Sequence, residues 1–225
     1  MAVGSDRISF SAGERTLSGL WDATARAQAV AVLAHGAGAG MEHPFMTGAA
    51  EGLVANAISV LRFNFPYVEE GRRSPDRPPV LLEAWRGALQ EAHRRSRGLP
   101  LAAGGKSLGG RMASMLAAEE KVRFAASALV FFGYPLHAPG KADRPRDAHL
   151  PDVTVPMLFI QGTDDALATF DLIEKLVQRL GTQARLHAVQ GGNHSFRVRG
   201  VKRSDQDTGR ELGVVAAEFI RGVVD

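Results

Sequence analysis

Residues 99–118 read Leu99-Pro-Leu-Ala-Ala-Gly-Gly-Lys-Ser-Leu-Gly-Gly-Arg-Met-Ala-Ser-Met-Leu-Ala-Ala118. The apolar run Leu101–Ala103 reads as a buried strand, and Arg111–Ala118 as a helix. Between them, Gly105-Lys106-Ser107-Leu108-Gly109 fits G-x-S-x-G. A serine on so sharp a strand-to-helix turn is held in a strained backbone conformation, so the residues two before and two after it must be small. Such a turn lifts the hydroxyl above the sheet edge. It leaves the Leu108 N–H free at a helix start, where the dipole favours developing negative charge. Taken alone, the pentapeptide also fits a glycine-rich turn that carries a serine by chance. The rest of the chain decides between the two.

The 225 residues suffice for one domain, 1–225, with a good core, and 45% hydrophobic content marks a globular chain. No apolar run approaches the roughly 18 residues of a membrane span. The first residues, Met-Ala-Val-Gly-Ser-Asp-Arg, lack the charged-then-apolar order of a secretory signal. With no cysteine there is no disulfide, thiolate metal site or cysteine nucleophile. A cytoplasmic setting is the expectation. A net charge of +3, from 27 basic and 24 acidic residues, is too small to imply a nucleic-acid partner. No feature speaks to oligomeric state.

Outward from the serine, short strands are expected at 7–10 and 16–20, with a hairpin turn at Ser11–Arg15. A loop is expected over Ala23–Ala29 and a buried strand over Val30–Ala34. That strand ends in His35-Gly36-Ala37-Gly38-Ala39-Gly40. A phosphate cradle would need G-x-G-x-x-G in register or a P-loop lysine, and neither is present. The alternative is the second wall of an oxyanion hole, with the Ala37 N–H aimed at the spot above the nucleophile. A helix over 44–55 and a strand over 58–63 follow, then a polar, proline-rich loop over 64–79. Arg72, Arg73 and Arg77 in it either meet an anionic substrate or pair with Glu69, Glu70 and Asp76; pairing is the simpler reading. Residues 80–97 form an amphipathic helix whose basic end (His93, Arg94, Arg95, Arg97) suits the negative end of the helix dipole.

Beyond the serine, a strand is expected over 126–132. An irregular stretch over 133–152 holds four prolines and is too short for more than a small flap. A strand over 156–161 leads into Gly162-Thr163-Asp164-Asp165 and a helix over 169–180. The last strand, 184–189, runs into Gln190-Gly-Gly-Asn-His-Ser-Phe196, and a helix over 205–223 closes the pattern. Arg197, Arg199, Lys202 and Arg203 read as a solvated basic face, with anion binding as the alternative. The order β-β-β-α-β-α-β-α-β-β-α-β-α implies an α/β fold, a mostly parallel, doubly wound sheet with helices on both faces and no large cap. Ligands bind such sheets at the carboxyl ends of the strands, where Ser107, Asp165, His194 and the His35 loop all fall.

Serine, then acid, then histidine is the chain order of the α/β-hydrolases. The segments AHGAGAGMEHPFM, RFNFPYVEEGRRSPDRP, GGKSLGGRMAS, IQGTDD and GGNHSF extend the likeness over nearly the whole chain. It resembles the small capless members near the dienelactone hydrolases, in a family of predicted hydrolases that also includes a hydrolase-like subunit of a chromatin acetyltransferase complex. Dienelactone hydrolases use a cysteine nucleophile where this chain has Ser107, so their substrate does not carry over. The resemblance implies a serine hydrolase acting on a small-molecule ester or other acyl substrate. Ser107 is the nucleophile, His194 the base and Asp165 its orienting acid, with Leu108 and Ala37 N–H groups for the oxyanion and no metal or cofactor. The Gly-x-x-Asp spacing counts to Asp165; Asp164 would cap the next helix or line the loop. His35 would prop the glycine loop by hydrogen bonding. Lys106, next to the serine, is expected to point elsewhere and has no catalytic role. The alternatives are a non-catalytic scaffold on the same fold, or acyl transfer or peptidase action with the same triad.

Overall fold

A computed structural model of the protein describes residues 5–224. Eight strands form one sheet in the order β1-β2-β4-β3-β5-β6-β7-β8. β1 (Ser5–Ala12) and β2 (Arg15–Asp22) make an antiparallel hairpin, and β2 joins β4 (Ile58–Phe63) antiparallel. From β4 onward the pairing is parallel through β3 (Ala29–Ala34), β5 (Leu101–Lys106), β6 (Ala128–Phe132), β7 (Met157–Gly162) and β8 (Ala184–Val189). The expected α/β architecture is therefore the observed one.

The inner parallel strands are largely apolar on both faces because both are covered, while the edge strand β8 is only partly buried. Successive side chains alternate between two cores. Val30, Val32, Phe131 and Phe159 face α3 (Pro78–Ser96), α4 (Leu108–Glu120) and α5 (Phe170–Leu180). Ala31, Leu33, Val130 and Ile160 face α1 (Pro44–Ala55) and α6 (Asp205–Val224). α1 and α6 meet backbone to backbone. A Cβ on Gly48 would lie 1.9 Å from the Gln206 carbonyl oxygen, and one on Gly209 would lie 2.2 Å from that of Phe45.

Several local expectations are corrected. Ala29 starts β3 rather than ending a loop, because it pairs with Ile58. The polar stretch over 64–79 contains a short helix, α2 (Pro66–Glu69), and Pro78 already opens α3. Phe65 and Tyr67 are buried there, edge-on to the His35 ring. Arg72 pairs with Glu70 and Asp76, as the simpler reading expects, but among the described residues Arg73 and Arg77 make no ion pair and Glu69 accepts from Ser18 instead. Arg94 and Arg95 at the end of α3 pair with Glu91, so local carboxylate pairing adds to the dipole there. Arg197 and Arg203 pair with Asp205 and Glu211. The stretch over 133–152 packs down on α4: Ser114 Oγ lies 2.8 Å from His149 Nε2, and Tyr134 donates to the Arg146 carbonyl at 2.9 Å.

A buried ion pair, unannounced in the sequence, ties the hairpin to the sheet. Arg62 on β4 forks onto both oxygens of Asp22 on β2 at 2.9 and 3.0 Å. It also donates to the Met41 carbonyl and Thr47 hydroxyl, each at 3.0 Å. Both side chains are 3% exposed. Removing one partner strands the other charge out of water, so Asp22→Ala is expected to lower unfolding free energy by about 3–5 kcal/mol. Urea titration followed by circular dichroism measures it.

Candidate active site

The site is built on the turn after β5. Ser107 adopts φ 51°, ψ −110°, a left-handed-side conformation that non-glycine residues rarely hold. Its N–H bonds to the Phe132 carbonyl at 3.1 Å, and its own carbonyl accepts from Arg111 N–H at 3.0 Å. The flanking glycines have a steric cause. A Cβ on Gly105 would sit 2.0 Å from the Ala34 carbonyl oxygen, and one on Gly109 2.2 Å from the same atom. The elbow is thus pressed against the end of β3, and only hydrogen fits at either position.

Loops after β7 and β8 bring the other two groups to this point. His194 Nε2 is 2.9 Å from Ser107 Oγ, and His194 Nδ1 is 2.7 Å from Asp165 Oδ2. The two loops are bound to each other. Asp164 N–H bonds to the Gly192 carbonyl at 2.9 Å, and Gly191 N–H donates to the Thr163 hydroxyl at 2.8 Å. The Asp165 side chain is fully buried and that of His194 is 25% exposed. Three donors converge on the carboxylate: the imidazole, Leu167 N–H at 2.8 Å and Gln161 Nε2 at 2.6 Å. With the Nδ1 proton turned to the carboxylate, Nε2 presents its lone pair to the serine hydroxyl.

The neighbouring candidates separate cleanly. Asp164 is exposed, accepts from the Thr163 hydroxyl and caps no helix; Thr169 holds the cap position of α5. His35 is buried, with Nδ1 2.8 Å from the Gly36 carbonyl and Nε2 accepting from Phe65 N–H at 3.2 Å. Desolvation lowers its pKa, so it props the glycine loop as a neutral ring. Ala37 lies on that loop at the wall of the pocket, and Leu108 is the first residue of α4.

Gln161 was not picked out from sequence, and Lys106 was assigned the wrong direction. Gln161 bridges the Asp165 carboxylate and, at 2.8 Å, the Tyr134 N–H. Its signal was a polar residue closing an apolar strand four positions before the acid. Lys106, expected to point away, lines the pocket and reaches the His194 backbone.

The serine and histidine open onto a pocket of about 310 Å³, walled by Gly36, Ala37, His43, Phe45, Met46 and Leu167 among others. None of its walls comes from 133–152, so that stretch forms no flap over it. A larger groove of about 1070 Å³ lies between β8 and α6 and contains none of the three aligned side chains.

Solved structures of similar shape bear on the fold. The chain is 24% identical to a dienelactone hydrolase from Anabaena variabilis, with a TM-score of 0.78 and 99% of each chain covered. A serine hydrolase without a lid from Xanthomonas campestris gives 21% identity and a TM-score of 0.72, with 96% of each chain covered. The esterase domain of a Rhodothermus marinus protein gives 16% and 0.73, covering 99% of this chain and 100% of that one. Residues 27–223 match the family model described as alpha/beta hydrolase domain, and the chain belongs to that family.

Proposed function

We propose that the protein is a serine hydrolase that cleaves carboxylic ester-type acyl bonds through Ser107, His194 and Asp165. The observation that carries this reading is the unbroken hydrogen-bonded line from a buried carboxylate through an imidazole to a strained serine at the mouth of a pocket. The esterase and the lidless serine hydrolase among the structural relatives support the reaction class.

In this reaction Ser107 Oγ attacks the acyl carbonyl carbon while its proton passes to His194 Nε2. The carbonyl π pair moves onto oxygen. The N–H groups of Leu108 and Ala37 receive that oxyanion, each contributing about 3 kcal/mol to barrier lowering. Collapse expels the alkoxide, which takes the proton from His194 and leaves an acyl-serine. Water, deprotonated by the same imidazole, attacks the acyl-serine and releases the acid. Asp165 holds the ring in the required tautomer and stabilises its cationic form, and Gln161 holds Asp165. The open pocket suits small or exposed acyl groups. No helix among the described residues is long and apolar enough to cross a membrane. A cytoplasmic setting, in keeping with a chain free of cysteine, is part of the same reading.

Hydrolysis of p-nitrophenyl esters of increasing acyl length, together with fluorophosphonate labelling, tests the reading. Wild type is expected to turn over and label, and Ser107→Ala to do neither. Asp165→Asn is expected to lower kcat by roughly 10³–10⁴ through the wrong tautomer. A wild type that neither labels nor hydrolyses any ester would leave the chain as a binding protein on a hydrolase fold. Gln161→Leu removes only a support of the acid and is expected to cost roughly 10- to 100-fold in kcat through misalignment. Steady-state kinetics on the best ester reads it.

A further inference from the structure

The histidine loop has a problem of reach. It leaves β8, the edge strand, which lies three places from β5 in the sheet, yet His194 must meet a serine on the β5 turn. Its backbone is glycine-rich, with Gly191 at φ 66°. Two positions past the histidine, Phe196 stands at φ 61°, a conformation a bulky residue keeps only when its surroundings hold it.

One side chain meets both needs. Lys106 Nζ donates to the His194 carbonyl oxygen at 2.7 Å and lies 5.3 Å from the centre of the Phe196 ring. Phe196 in turn stacks on Phe45 of α1, with centroids 5.6 Å apart and planes at 17°. Gly133, just after β6, leaves room for the contact. A Cβ there would come within 3.1 Å of the ammonium nitrogen and 3.4 Å of the His194 carbonyl oxygen.

We propose that Lys106 is a positioning residue for the base: its ammonium ties the His194 carbonyl and the Phe196 ring to the strand that carries the nucleophile. This rests on the serine hydrolase reading above. Lys106 and Ser107 are adjacent in the chain, so the tie sets the imidazole in the same local frame as the hydroxyl it serves. The ammonium is held at an electrostatic disadvantage. Burial pulls its pKa down to about 8, against the opposing pull of the Asp165 carboxylate. The titratable groups facing it are Asp165, on the loop after β7, and His194, on the loop after β8. Phe196 and Gly133 bring no charge. His43 and the Arg197–Asp205 pair line the same pocket.

The test compares wild type with Lys106→Met, which keeps the apolar stem, and Lys106→Gln, which keeps a donor without charge. The readouts are p-nitrophenyl acetate kinetics between about pH 6 and 10, thermal melting, and the low-field proton resonance of His194 Nδ1–H. Wild-type kcat is expected to fall as pH rises past about 8, where the ammonium loses its proton. Lys106→Met is expected to lose that alkaline limb and to lower kcat roughly tenfold or more, with KM within about twofold. The resonance should broaden or vanish. A merely structural lysine would lower the melting temperature while leaving kcat, the pH profile and the resonance alone. Wild-type kcat, alkaline limb and a sharp resonance in Lys106→Met would overturn the proposal. If that variant does not fold, Lys106→Gln decides: loss of the alkaline limb with kcat and the resonance nearer wild type's supports the tie, and an unchanged alkaline limb overturns it. A wild type inactive on every ester defeats the catalytic reading, and the resonance, which needs no substrate, still decides the positioning.

Discussion

Ser107 cannot relax. Its left-handed backbone persists because β3 presses on the turn from one side, where the Ala34 carbonyl leaves room only for hydrogen at Gly105 and Gly109, while the Phe132 carbonyl on β6 holds its N–H on the other. A strained turn of this kind survives only when its neighbours over-determine it. The middle of a parallel sheet, flanked by two strands and two helical layers, is where that condition is most readily met. The remainder of the site is arranged to arrive at this one fixed point. The central strand β5 carries Ser107, and strands nearer the edge carry Asp165 and His194, whose loops reach back to it.

Convergence from separate strands needs cross-links that do not depend on the reacting atoms. Gln161 joins the acid to the backbone just after β6, and Thr163 and Asp164 join the acid loop to the histidine loop. Lys106 joins the histidine loop back to β5. The result is a closed circuit of contacts around the strand ends, in which Ser107, Asp165 and His194 each have at least one hydrogen-bond partner outside the three.

The inner sheet was legible because a strand covered on both faces is largely apolar; β4 runs over the residues that the sequence predicts, as do the half-exposed edge strand β8 and helix α1. Glycine misled the reading where it serves close approach. β5 continues through Gly104 and Gly105 to Lys106, and α4 begins at Leu108, before the Gly-Gly pair that resembles a turn. α2 was hidden because its buried aromatics lie in a polar stretch without periodicity. In the site, Ser107, Asp165 and His194 were readable from small-residue spacing and chain order. Gln161, Lys106 and the Asp22–Arg62 pair were not, since each draws its meaning from a partner set beside it only by the fold.

The glycine contact between α1 and α6 has a consequence for how the chain is made. Glu51 on α1 and Arg210 on α6, paired along this contact, are separated by 159 positions in sequence. The face of the sheet beneath α1 therefore stays half-covered until α6 has left the ribosome. Until then the emerging chain carries an apolar furrow, kept shallow by glycine, where α6 comes to lie. Completion of that layer is a late, long-range step.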